Sequence, residues 1–339
     1  MSGGVDSSVC AELLKNSFSE VVGAYIIFSD RDDPERARIA AKEADIPLYV
    51  IDRREEFKKN VIDYFASTYL EGGTPNPCVI CNRFVKMESL CRLAEELGAD
   101  KYATGHYASP VLLDNRRYTV KKGSDLKKDQ SYMLSRLEQY QIERFTAPLE
   151  LYSKDEIKRI ALDTKKASAS LAESQDICFV EGNDYVSYIR ENYKDTEKGS
   201  FIDKDGRVLG VHEGILNYTV GQRRGLGIAL GHRAFVTDID PVANTVTLAA
   251  KEDFTEKSFS VKDLAFLGLP PTDDAEIFAK VKIRYSAGER DARVTIKNKR
   301  ATVEYDGVSQ IAAPGQFAVF YSDDGAVLFS GIIERNKRI

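Results

Sequence analysis

From residue 1 to about residue 145, short apolar runs alternate with segments whose apolar residues recur at helical spacing. Residues 21–28, 47–51 and 102–104 read as strands. Residues 34–44, 57–70 and 87–97 read as helices, the last with Leu90, Leu93, Ala94 and Leu97 on one face. Such alternation predicts an α/β domain built on parallel strands with crossover helices. Residues 134–192 read as mostly helical, with a helix start at 152–156 where Ser153 and Glu156 fit a capping box. After Lys198 the texture changes to short alternating runs punctuated by Gly, Asp and Asn: 201–202, 207–209, 234–237, 245–249, 279–285, 292–296, 301–305, 318–321 and 327–333. Regular short strands of this kind predict small β-barrels. The expected division is residues 1–198, with a helical extension over about 146–198, then a small β-rich central domain over 199–255 and a C-terminal barrel over 256–339.

A chain of 339 residues exceeds one ordinary core and agrees with two or three domains. A formal net charge of −5 gives no global attraction to nucleic acid or anionic membrane, so RNA binding would come from local basic patches. Candidates are residues 121–128, Arg223-Arg224, 280–284 and 297–300. No apolar run is long enough to cross a bilayer and no secretory signal is apparent, which makes the cytoplasm the expected compartment. Five cysteines in a long chain argue against a disulfide scaffold and for thiol or metal chemistry.

The most informative local feature is residues 2–8, Ser-Gly-Gly-Val-Asp-Ser-Ser, running straight into a helical segment. Glycines let the backbone approach a ligand, and the N–H groups of a helix start favour an anion. The spacing and the lysine of a Walker A loop are absent. Residues 26–30 and Gly105-His106 close or follow apolar runs, which places them with the loop in one crevice beyond the strand ends. A phosphate loop is expected to follow a strand, yet Met1 immediately precedes Ser2; either an upstream strand is missing or the sheet manages without a central one.

Cys78 and Cys81 form a CxxC pair in Thr74-Pro-Asn-Pro-Cys-Val-Ile-Cys-Asn-Arg83, where two prolines predict an extended loop ahead of the helix at 87–97. A structural zinc site takes four ligands, and the lack of a second CxxC, with only His106, His212 and His232 as histidines, argues against one. A thioredoxin-like dithiol would open a helix after a strand. A nucleophilic thiol that later pairs with a distant cysteine is the third reading, and Cys178 is the natural partner. Cys10 and Cys91 sit in helical apolar patterns and read as small core residues.

In order along the chain stand SGGVDSS (2–8), TPNPCVICNRFVKM (74–87), ATGHYA (103–108), KKDQSYML (127–134), ESQDICFV (173–180), GILNYTVGQRRGLGIA (214–229), KIRY (282–285) and APGQFAVFY (313–321). The first resembles the PP-loop of ATP pyrophosphatases, and together they resemble the bacterial tRNA-specific 2-thiouridylases over essentially the whole chain. The resemblance implies a PP-loop, Rossmann-like adenine-nucleotide α-hydrolase domain followed by a small β-rich domain and a C-terminal barrel that contacts tRNA. It implies ATP, with Mg2+, as the activating substrate for 2-thiolation of the wobble uridine of lysine, glutamate and glutamine tRNAs. AMP is first transferred to uracil O2 with release of pyrophosphate, and sulfur then displaces AMP. By motif, Cys178 would carry a persulfide delivered by a sulfur-relay donor protein, and Cys81 would help liberate its sulfur and close a disulfide with it. Low thiol pKa values are expected at both.

The same resemblance assigns ATP contacts to Ser2, Gly3, Gly4, Val5, Asp6, Ser7, Ser8, Ile26 and Gly105. Asn76, Pro77 and Cys78 correspond to the segment touching the target base. His106, Lys128, Asp129, Gln130, Arg284, Tyr285 and Gln316 correspond to tRNA contacts along the anticodon loop, and a monomer is expected. Many relatives carry Asp where Cys78 stands, so Cys78 is read as an assisting or third thiol. An alternative is that Cys78, Cys81 and Cys178 hold a four-iron four-sulfur cluster with one open iron site. Two other function classes share parts of the pattern: an amide-forming PP-loop ligase, which needs no thiols, and a non-catalytic RNA-binding module built on the barrels.

Overall fold

The computed structural model describes residues 1–164, 177–231 and 233–335. Helix α1 (Val5–Lys15) leaves the N-terminal loop with Gly4 as its cap, and no side chain bonds its first-turn N–H groups. Strand β1 (Gly23–Ile27) pairs in parallel with β2 (Leu48–Asp52), Ile26 opposite Ile51, through α2 (Glu35–Glu43), which buries Ala37, Ala40 and Ala41 on one face. Helix α3 (Arg54–Phe57) runs through a π-turn at Lys58–Ile62 into α4 (Asp63–Leu70). Helix α5 (Pro77–Cys81) likewise runs through a π-turn at Asn82–Lys86 into α6 (Met87–Glu96).

The extended loop expected ahead of residue 87 is therefore helical from Pro77 onward. Asn76 caps it, accepting from Val79 N at 3.3 Å, and Pro77 sits at the first helical position, where its missing N–H costs nothing. Both cysteines of the CxxC pair lie on this short helix.

Strand β3 (Tyr102–Ala103) leads to the hairpin of β4 (Ala108–Leu112) and β5 (Tyr118–Lys122), and helix α7 (Gln139–Arg144) returns the chain to β6 (Phe145–Thr146), parallel to β3. The stretch expected to be mostly helical is thus interrupted by a strand before α8 (Lys154–Asp163) and α9 (Tyr185–Asn192). Residues 165–176, including Glu173 to Asp176 of the ESQDICFV motif, lie outside the described residues, as does His232. Among the described residues β1–β2 and β3–β6 remain separate parallel pairs, and the Met1 amino group hydrogen-bonds Ala24 O beside β1.

Strands β7 (Gly199–Ile202), β8 (Val208–His212), β9 (Ala234–Asp240) and β10 (Thr245–Ala250) form a four-stranded sheet in the order β8-β7-β10-β9. The last six, β11 (Thr255–Phe266), β12 (Asp274–Lys282), β13 (Arg290–Lys297), β14 (Arg300–Gln310), β15 (Phe317–Tyr321) and β16 (Val327–Ile333), close a barrel in the order β11-β14-β13-β12-β15-β16. Asn298 and Lys299, both at positive φ, make the two-residue turn between β13 and β14.

Strand β15 is buried on both faces. Ala318 and Phe320 point into the barrel core, while Phe317, Val319 and Tyr321 join the core of the N-terminal domain with Tyr132 and Leu134. Polar contacts follow the same seam. The buried Arg136 bonds the main chain and carboxylate of Asp263, Tyr132 Oη donates to Phe317 O at 2.9 Å, and Thr119 Oγ1 donates to Val327 O at 2.5 Å. No described helix is long and apolar enough to cross a membrane.

Candidate active site

The N-terminal loop is held by its own hydroxyls. Ser2 N donates to Ser7 Oγ at 3.2 Å, and Ser7 and Ser8 Oγ each donate to Gly4 O at 3.0 Å. Gly3 adopts φ +77°, and a Cβ there would stand 2.6 Å from the Arg36 main-chain carbonyl, so the position excludes any side chain. Gly105 closes the other side, because a Cβ on it would lie 3.1 Å from the Asp6 Cβ. Ile26 is buried on β1.

Asp6 is bound from two directions. Lys154 Nζ lies 2.6 and 2.7 Å from its two carboxylate oxygens, and Tyr107 Oη donates to Oδ1 at 2.8 Å. Neither partner was legible from the sequence: Lys154 comes from 148 residues away. The only signal was the Ser153–Glu156 capping box, which forms as expected and sets where the helix carrying Lys154 begins.

The three thiols gather around Lys86. Cys81 is buried on α5, whereas Cys78 and Cys178 retain open surface. Phe179 anchors Cys178 by packing edge-on against Phe57 and Phe65, with ring centroids at 5.6 and 5.2 Å. The surrounding protein desolvates each sulfur. Burial pushes the Cys81 thiol up to about 12 and the Cys178 thiol up to about 11, and it raises Cys78 as well, while Lys86 pulls all three back. Cys78 and Cys178 also raise Cys81, which places the three within electrostatic reach of one another. The low thiol pKa values expected from the sequence are therefore absent in this state, because removal from water outweighs the lysine.

Lys86 also acts on His106, which burial first and Lys86 second push down to about 3. The His106 ring is neutral and its Nδ1 lies 2.7 Å from Thr104 Oγ1. His106 follows Gly105, which packs on Asp6; the charge of Lys86 is thus felt both by the thiols and by the neighbour of the N-terminal loop. Lys86 forms no ion pair among the described residues. All five cysteines are free, so no Cys81–Cys178 disulfide is present in this state. Among the described residues no group of three His, Cys, Asp or Glu side chains is placed to hold a metal ion, and the cluster alternative finds no support in the geometry.

The residues expected to contact tRNA fall into two kinds. Arg284 is exposed, and Tyr285 is half-buried with Lys282 Nζ 5.3 Å above its ring. Lys128 is half-buried. Asp129 is buried and accepts from Ser131 N and Oγ at 3.0 and 2.9 Å, and burial raises its carboxyl. Gln130 exchanges bonds with the Tyr107 main chain at 2.9 and 3.0 Å. Gln316 reaches across the seam, its Nε2 donating to Thr74 O at 3.1 Å and Pro75 O at 3.2 Å. Asp129, Gln130 and Gln316 thus hold protein to protein here.

The chain matches three family models in succession: tRNA methyl transferase HUP domain over residues 1–182, tRNA methyl transferase PRC-barrel domain over 187–250, and aminomethyltransferase beta-barrel domain over 256–333. It is 42% identical to tRNA-specific 2-thiouridylase MnmA 2 of Clostridium botulinum (strain Hall), covering 98% of this chain and 97% of the relative. It is 41% identical to the MnmA proteins of Clostridium kluyveri and Clostridium perfringens, again over 98% of this chain and 98% and 97% of theirs.

Proposed function

The chain belongs to the tRNA-specific 2-thiouridylase family, and on that premise we propose that it converts the wobble uridine of lysine, glutamate and glutamine tRNAs to 2-thiouridine at the expense of ATP. The observation that carries the reading is the grouping of three thiols around one lysine, Lys86, which also acts on His106, the neighbour of the glycine packed on Asp6 of the serine- and glycine-rich loop. The HUP and PRC-barrel models carry a methyltransferase name, but grouped thiols are apparatus for sulfur transfer that methyl transfer does not need.

In the first step uracil O2 bonds to the α-phosphorus, the bridging P–O bond breaks and its electron pair leaves with pyrophosphate, while the N3 proton is lost. In the second, the terminal sulfur of a persulfide on Cys178 bonds to C2 and AMP leaves with the C–O electron pair. The Cys81 thiolate then attacks Cys178 Sγ, and the breaking S–S bond leaves its electrons on the sulfur now attached to the base. The products are 2-thiouridine, AMP and a Cys81–Cys178 disulfide, which an external dithiol must reduce. The exposure of Cys178 suits loading by a donor protein, and the burial of Cys81 suits an internal attack. Asn76, Pro77 and Cys78 frame the base, and Mg2+ enters with ATP, for which the loop itself offers the Asp6 carboxylate. A reducing cytoplasm and a monomeric enzyme complete the reading.

The test incubates the protein anaerobically with ATP, magnesium, unmodified tRNA and a persulfide donor, and digests the RNA for mass spectrometry. ATP-dependent 2-thiouridine that disappears in Cys178→Ser, while AMP transfer persists, is expected. Full thiolation by that variant would refute the persulfide assignment.

A further inference from the structure

The loop at residues 2–8 lacks a lysine of its own, yet a departing pyrophosphate gathers negative charge that hydroxyls and helix N–H groups meet only in part. The fold supplies a lysine from elsewhere. Lys154 is almost fully buried, with 8% of its side chain exposed, and ends on both oxygens of Asp6 within the loop. Its stem is fixed at every stage. Its own N–H donates to Asp125 Oδ2 at 3.1 Å, the Ser153–Glu156 box sets the helix start, and its ammonium lies 5.7 Å over the Tyr107 ring. The rival cation, Arg36, meets Gly3 with its main chain and Cβ, and its residue is exposed.

We propose that Lys154 is the phosphate-binding cation of the adenylation step, held on Asp6 until the β- and γ-phosphates of ATP take its place as partner. This rests on the ATP-dependent reading above. The ion pair keeps both charges satisfied before the nucleotide arrives, which a buried lysine requires. When the bridging P–O bond breaks and its electron pair leaves with pyrophosphate, the ammonium meets the charge that develops there, a contact stronger in the transition state than in the ground state.

The pair gives the test a sign. Lys154→Met and Asp6→Asn break the same ion pair, so a purely structural role would weaken ligand binding in both. If Lys154 binds phosphate, the two diverge. Magnesium-free inorganic pyrophosphate, titrated calorimetrically into the full chain, should bind Lys154→Met about tenfold or more weakly. It should bind Asp6→Asn more tightly than the unsubstituted protein, because the competitor for the ammonium and a repelling charge are both gone. AMP, which lacks the departing phosphates, should bind Lys154→Met within about twofold of the unsubstituted chain, and Lys154→Arg should recover part of the loss. Weakening in both variants, no change in either, or a loss confined to Arg36→Met would overturn the assignment while leaving adenylation by the unsubstituted chain intact. An unsubstituted chain that binds neither pyrophosphate nor ATP would overturn the functional reading and this proposal together.

Discussion

The Cys81 thiol should be nearly inert in the resting protein, and the inertness has a calculable size. Burial lifts it from the ordinary 9 to about 12, a rise equivalent to about 4 kcal/mol of preference for the protonated form. At pH 8 the thiolate population then falls about a thousandfold below that of an ordinary thiol, while each thiolate is about twentyfold more nucleophilic, leaving alkylation about fiftyfold slower before access is counted. Access slows the reaction at all pH values alike, so the diagnostic is the slope. With mass-spectrometric readout of iodoacetamide labelling from pH 7 to 10.5, the logarithm of the Cys81 rate should climb with unit slope to the end of the range. Lys86→Met, which removes the one cation pulling the thiol down, should lower the whole line. The unfolded chain titrates near 9 and the native chain near 12, so this group's contribution to stability is intact below pH 9 and is lost between pH 9 and 12. A plateau of the labelling rate at or below pH 9 would refute the reasoning.

Gly3→Ala combines a strained φ of +77° with a Cβ 2.6 Å from the Arg36 main chain, and should cost about 2–4 kcal/mol and abolish ATP binding; a variant with unchanged melting and ATP affinity would show that the loop is not so constrained. Gln316→Glu would turn a carboxylate toward the carbonyls of Thr74 and Pro75, costing about 1–3 kcal/mol. It should raise the KM for tRNA while leaving ATP binding intact, and an unchanged KM would argue that Gln316 does not position that loop. Glu256 accepts from Ala312 N at 2.5 Å and is raised by burial to about 7. A raised carboxyl contributes stability that is present below its unfolded value of 4.5 and is lost as pH rises through 7. Glu256→Gln should therefore gain on the order of 1–3 kcal/mol at pH 8 relative to pH 4.5, read from urea midpoints; identical pH profiles for variant and parent would count against it.

Periodicity carried much of the fold. Helix α2 and strand β1 stand where the alternation put them, because each buries a simple face or stripe; β2 is also in place, as the parallel partner of β1, although Tyr49 and Val50 are exposed. Strand β11 was illegible: in Thr255–Phe266 only Phe259 and Val261 are fully buried, so its alternation is diluted by exposed polar residues and irregular register. The hairpin of β4 and β5 escaped for the same reason, with half-buried residues on both faces. The proline-rich segment reads as extended because proline disfavours helix in the residue before it; that argument stops at Asn76, and from Pro77 onward proline favours a helix start. At the site, local motifs could reveal the loop and the cysteines, but Lys154 and Tyr107 reach Asp6 only through tertiary folding. The thiol pKa values run opposite to the sequence expectation because desolvation depends on what packs around a sulfur, which spacing in the sequence does not encode.

The barrel is tied to the cysteine helix by position. Strand β15 has no free face, so the barrel cannot shift without disturbing Phe317, Val319 and Tyr321 in the N-terminal core. Gln316, the residue just before that strand, holds the carbonyls of Thr74 and Pro75. The next residue, Asn76, caps the short helix that carries Cys78 and Cys81. A four-residue span, 74–77, therefore joins the barrel to the thiols, and the exposed Arg284 and half-buried Tyr285 follow β12, hydrogen-bonded to β15 through Lys282 and Val319. An RNA docked on Arg284 and Tyr285 would load the same strand that fixes the cap of the cysteine helix. Removing the Gln316 amide should consequently uncouple RNA binding from Cys81 reactivity: tRNA should change the Cys81 alkylation rate in the parent and leave it unchanged in Gln316→Leu, and no response in the parent, or the same response in both, would refute the coupling.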